Sequence, residues 1–142
     1  KVPIEKFIQG IRRIDLKPTE LVAAIEIPIE AYEKMTRCAY EKVGARKSEA
    51  ISKLSFIGLA KVEEDIVKDI KIAFGSVYIT AVRRRELEEQ LIGKKTAALK
   101  DEKEAILSEY AAVIKPIDDQ RSTAVYRKSV CMNLLRDFLE NL

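Results

Sequence analysis

Near residue 79 the apolar residues of this chain stop recurring at every second position and begin recurring at every third or fourth. Upstream, KLSFIGLAKV (residues 53–62) sets Leu54, Phe56 and Ala60 on one side and Ile57 and Leu59 on the other. That is the pattern of a strand covered on both faces. Residues 67–78 alternate Ile70, Ile72 and Phe74 with Asp69, Lys71 and Ala73, as a half-buried strand does. Only the polar turn Glu63, Glu64 and Asp65, with Ile66 after it, separates the two, so they are expected to pair antiparallel. Two more strands are predicted. ELVAAIEIP is apolar at 21, 23, 25 and 27 and is ended by Pro28, and a second strand covers about 37–43.

Downstream the spacing predicts three helices. The first starts at Thr80 as N-cap, shares Val82, Leu87 and Leu91 on one face and stops at Gly93. The second covers 97–114, with Leu99, Ile106, Tyr110 and Val113 inward and Pro116 beyond it. The third runs from about Thr123 to the end, with Tyr126, Val130, Leu134 and Phe138 as its core stripe. Strands followed by helices predict an α+β domain: a mainly antiparallel sheet of about four strands with three C-terminal helices.

With 142 residues, 47% of them hydrophobic, the chain is long enough for one domain with a real core. Its 26 basic and 23 acidic residues leave a net charge of +3, too little to predict nucleic-acid binding. No apolar run is long enough for a membrane helix and no signal-peptide pattern occurs, so a cytoplasmic protein is expected. Cys38 and Cys131 lie far apart, outside any C-x-x-C spacing, and read as two reduced thiols. Histidine is absent, which removes the commonest general base and metal ligand. No phosphate-binding glycine motif, nucleophile elbow or metal-ligand cluster is present. The first residue is Lys1, which reads as a fragment or a processed product.

One charged stretch remains. In AYEKVGARKSEAISKL (residues 39–54) a predicted strand ends near Gly44, and Arg46, Lys47, Ser48 and Glu49 follow before apolar residues resume. By itself this is a solvated hairpin connection. Arg83–Arg85 with Glu86, Glu88 and Glu89 reads as a solvated helix face, and Asp118 and Asp119 as ordinary helix caps.

Five segments, taken in order, resemble one family. FIQGIRRIDLKPTELVAAIEIP (residues 7–28) is similar to Phe-Phe-x-Gly, Leu-x-Pro and Glu-Leu-Leu-x-x-Ile-x-Ile-Pro. AYEKVGARKSEAIS resembles a Tyr-x-Lys, Arg-Lys/Arg and Ile segment. IKIAFGSV resembles Ile-Ala-x-Gly-x-Val, LEEQLIGK resembles Glu-x-x-Leu-x-Gly-Lys, and DQRSTAVYRKSV resembles Asp-x-Arg-x-Ser-x-x-Tyr-Arg. The family is the FAD-binding (medium) subunit of the xanthine dehydrogenase and carbon monoxide dehydrogenase flavoproteins, the molybdenum hydroxylases. The match covers its C-terminal domain and the lead-in before it.

The resemblance implies that residues 1–28 join a preceding FAD-binding region of the same subunit and that 29–142 form the C-terminal domain. It implies an FAD-dependent oxidoreductase in which this domain stands beside the flavin ring. Electrons would pass from iron–sulfur clusters through FAD to NAD+ or another acceptor. Molybdopterin and the iron–sulfur clusters would belong to large and small partner subunits. By motif position Val22, Lys42, Arg46 and Glu49 fall beside the flavin; no catalytic or metal-binding residue is implied. The glycine-rich loops that hold the pyrophosphate are absent, so this stretch alone is expected neither to hold FAD tightly nor to catalyse. Some departures occur: Glu49 stands where some relatives carry Asp, Ala50 where the residue is often acidic, Thr123 where it is often Ser, and Ala81 where many have Pro. Glu63, Glu64 and Asp65 lack the usual turn glycine. The alternative is a protein-interaction domain of the same fold without redox chemistry, and the coding sequence upstream of Lys1 separates the two.

Overall fold

The long alternating stretches become the longest strands in the computed structural model, which describes residues 1–142. A lead-in carries α1 (Ile4–Phe7), the small pair β1 (Ile8–Gly10) and β2 (Arg13–Ile14), and one turn of helix, α2 (Glu30–Glu33). The main sheet then takes β3 (Arg37–Val43), β4 (Leu54–Glu63), β5 (Ile66–Gly75) and β6 (Val82–Arg83), in that spatial order and antiparallel throughout. Four helices complete the chain: α3 (Arg85–Glu89), α4 (Thr96–Asp101), α5 (Lys103–Val113) and α6 (Ala124–Glu140). The α+β class and the four-stranded antiparallel sheet are as expected from sequence.

The core lies between one face of this sheet and the helices. Leu54, Phe56 and Ala60 of β4 are buried with Ile70, Ile72 and Phe74 of β5, while the intervening residues stay partly exposed. Phe56 meets Phe74 (centroids 5.2 Å apart) and Phe138 of α6 (5.9 Å), and Phe74 meets Tyr110 of α5 (6.0 Å). Gly58 makes room for Phe138, since a Cβ there would lie 2.8 Å from its ring. Opposite Lys61 and Val62, β5 carries Lys68 as an extra residue. This bulge lets both Val67 and Ile70 face inward although three positions separate them.

Several expectations need correction. Residues 20–27 form no strand: Leu21, Val22, Ile25 and Ile27 are 52–80% exposed and pair with nothing, because alternation makes a strand only where a neighbour supplies the ladder. The helix expected from Thr80 is instead β6 followed by the short α3. Val82 extends the sheet edge opposite Phe74, and the Glu88 carboxylate accepts the Ile72 N–H (2.8 Å) where no further strand residue reaches. Glu88 is therefore buried, clamped by Arg83 at 2.8 to 3.1 Å, and is no part of a solvated face. The helix expected over 97–114 is two, parted at Glu102 (φ −85°, ψ 2°), whose carboxylate holds Lys94. The stripe of α6 that enters the core lies one position on from the expected one, because the crossing of the helix over the sheet sets which face is covered. The face of α6 that enters the core is accordingly Arg127, Cys131, Leu135, Phe138 and Leu139, while Tyr126 is 43% exposed and Val130 and Leu134 flank the core. Gly93 does end its turn in the left-handed region (φ +85°) and donates its N–H to Val67.

Candidate functional site

The connection between β3 and β4 spans residues 44–53 and opens at Gly44. The glycine is required by close approach: a Cβ would lie 3.0 Å from that of Ala50 and 3.2 Å from the Arg46 carbonyl oxygen. Arg46 holds the loop in shape. Its Nε donates to the Ser48 carbonyl oxygen (3.0 Å) and its Nη2 to that of Glu49 (2.8 Å). Glu49 is held in the left-handed region (φ +49°). The guanidinium thus takes main-chain oxygens and not the Glu49 carboxylate.

A turn before α6 forms the opposite wall. Asp119 Oδ1 accepts the N–H groups of Arg121 (2.8 Å) and Ser122 (3.1 Å), and Oδ2 receives Arg127 Nη2 at 2.7 Å. The Arg127 guanidinium beside it holds the Asp119 carboxyl below the usual carboxylate range. Arg127 is buried and also donates to the Ser76 carbonyl oxygen (3.3 Å). The capping expected of both acids belongs to Asp118, which accepts the Ala124 N–H, and to Thr123, which accepts that of Tyr126.

Between these walls lies an open cleft of about 500 Å³, lined by Arg46, Glu49, Ile51, Lys53, Gln120 and Arg121 among others. Lys53 Nζ stands 5.3 Å from the Tyr126 ring centroid. Of the residues singled out from sequence, the structure brings Arg46 and Glu49 together here. Lys42 is exposed on β3 opposite Ser55, and Val22 sits on the unpaired lead-in; neither lines the cleft. Nothing in the sequence marks Lys53 and Gln120 as lining residues, and Arg121 stands out only beside Asp118 and Asp119 ahead of the last helix. Cys38 and Cys131 are both free, the first exposed and the second buried, where burial pushes its thiol up to about 12.

The profile of the CO dehydrogenase flavoprotein C-terminal domain matches residues 39–142. The glyceraldehyde dehydrogenase medium chain of Sulfolobus acidocaldarius is 33% identical over 128 residues, 87% of this chain and 42% of that one. The carbon monoxide dehydrogenase medium chain of Hydrogenophaga pseudoflava is 27% identical over 95% of this chain and 45% of its own length. This chain therefore spans less than half of either relative. A chain in the crystal structure of quinoline 2-oxidoreductase from Pseudomonas putida 86 superposes with a TM-score of 0.76 over 96% of this chain and 45% of that chain. At 17% identity that likeness speaks for the fold alone. With the profile matched across both walls of the cleft and the whole sheet-and-helix body, the chain belongs to the CO dehydrogenase flavoprotein C-terminal domain family.

Proposed function

We propose that this chain is the C-terminal domain of the FAD-binding subunit of a xanthine dehydrogenase-like molybdenum hydroxylase. In this reading it stands beside the flavin ring and helps electrons pass from iron–sulfur clusters through FAD to NAD+ or another acceptor. Molybdopterin and the iron–sulfur clusters reside on the large and small partner subunits. Residues 1–28 join the preceding FAD-binding region, and 29–142 form the domain proper. Family membership supports the reading. The observation that carries it is a loop with Arg46 and Glu49 at an open cleft, the guanidinium bound to carbonyl oxygens rather than to the Glu49 carboxylate.

The residues fit one wall of a flavin site. Gly10, Gly44, Gly58 and Gly75 each pack against side chains or backbone of this same chain, and none belongs to a glycine-rich phosphate cradle. The anchoring of the dinucleotide is thus assigned to the preceding region. Bound FAD supplies the electron-transfer chemistry, and this chain's part is to set charge and access around it. Arg46 and Glu49 do so from the loop, Lys42 from the end of β3 and Val22 by apolar contact from the lead-in.

The test is made on the complete subunit. A cation near the ring favours its anionic reduced form, so Arg46→Ala is expected to lower the flavin potential and slow or redirect reoxidation. Glu49→Ala is expected to move the potential the other way. Thermal unfolding should show a loss of no more than ~1 kcal/mol for either, as for exposed side chains. Unchanged potential and acceptor kinetics in both variants would refute the proposal for this loop.

A further inference from the structure

The main sheet closes one of its two edges and leaves the other open. Beyond β5, β6 pairs with residues 73–74 and the Glu88 carboxylate takes the Ile72 N–H. Further along, Gly93 and Lys94 bond both main-chain groups of Val67, and Lys95 bridges to Ile66. On the opposite side β3 has β4 as its only neighbour. Its outer edge is a row of unpaired N–H and C=O groups, with neither a proline nor a bulge to blunt it.

The charges along this edge fit a second copy of the same strand. Arg37, Ala39 and Glu41 stand on one face, opposite Ala60, Gly58 and Phe56 of β4. Arg37 donates only to the Thr36 carbonyl oxygen, and the exposed Glu41 bonds to no side chain of its own molecule. Antiparallel pairing about a two-fold axis at Ala39 sets Arg37 against Glu41 of the second copy, and Glu41 against its Arg37. On the other face the exposed Cys38 and Tyr40 come together across the axis.

We propose that β3 pairs with β3 of a second copy in this register, joining the two four-stranded sheets into one continuous sheet. A contact of one strand from each copy is at the small end of protein interfaces, so the dimer is weak and forms with rising concentration. None of the residues lining the cleft takes part, and the pairing is independent of the flavin reading.

The experiment is sedimentation equilibrium of this chain from micromolar to millimolar concentration, with circular dichroism to check that each variant keeps the fold. A monomer–dimer equilibrium is expected. Arg37→Glu and Glu41→Arg each set like charges against one another at both symmetric pairs, and each is expected to weaken the dimer about tenfold. The double variant, with the two charges exchanged, is expected to dimerise as the parent does. A chain that stays monomeric throughout, a dimer indifferent to the single reversals, or a double variant that fails to recover would overturn the proposal. So would a dimer of this chain that is lost in the complete subunit, which would give the edge to the preceding region. The readout is molecular mass, so it can fail while the Arg46→Ala potential shift stands, and the reverse.

Discussion

Tyr110 is buried to 1% exposure with its hydroxyl bonded to no group, and burial pushes its phenol pKa up. Its ring fills the space beside Phe74, so the aromatic body contributes to the core while the oxygen bears a desolvation cost. Tyr110→Phe keeps the ring and is predicted to stabilise the fold by about 1 kcal/mol, read from the midpoint of chemical unfolding. A loss of stability would mean that the hydroxyl has a partner. The inward position of Tyr110 is legible from its spacing with Ile106, but the state of its oxygen depends on neighbours contributed by other elements. The same holds for charged residues. Glu88 and Glu89 look alike in sequence, yet only Glu88 meets the Ile72 N–H and Arg83 and is buried for it. Arg46 and Glu49 stand out as charges in a loop, whereas the direction of the guanidinium is set by where the loop turns its carbonyl oxygens.

Strand β4 and helix α6 meet where Phe138 lies over Gly58, and the match is one of shape. A methyl group at Gly58 would fall 2.8 Å from the ring, closer than any ordinary carbon contact. Gly58→Ala is therefore predicted to cost about 1–3 kcal/mol by overpacking. Adding Phe138→Leu should recover part of that loss, so that the double variant is more stable than the summed single effects; strict additivity in thermal unfolding would refute the contact. The strands of the β4–β5 hairpin are readable because two long alternating runs flank a very short turn. That turn is made without glycine, by Glu64 (φ +50°) and Asp65 (φ +60°). The lead-in alternates as clearly as β5 yet forms no strand, since it lies against no neighbouring strand that would complete a ladder. Helix α6 is readable as a helix from its apolar spacing, but the face it buries is set by how it crosses the sheet.

Across the molecule, the Asp119–Arg127 pair joins the wall of the cleft to α6, and Arg127 reaches on to Ser76 just beyond β5. Because the folded-state Asp119 carboxyl lies below its unfolded value, its stabilising contribution is complete above about pH 4 and is lost as pH falls through the lower folded value. Glu63 and Glu140, lowered by Lys61 and Lys103, act in the same direction. Asp119→Asn is predicted to lower the melting temperature at pH 7 and to flatten its fall below about pH 4. Equal acid slopes in variant and parent would exclude the pair as a source of that dependence. The α+β class, the central hairpin and the helical character of the C-terminal third follow from sequence alone. Each depends on backbone repeat, which places side chains two or about 3.6 residues apart whatever lies nearby. Pairing, facing and burial of charge required the tertiary structure. A ladder needs a second strand, a helix face needs a sheet to turn toward, and Glu88 or Arg127 can leave water only where distant residues supply the bonds that water gave.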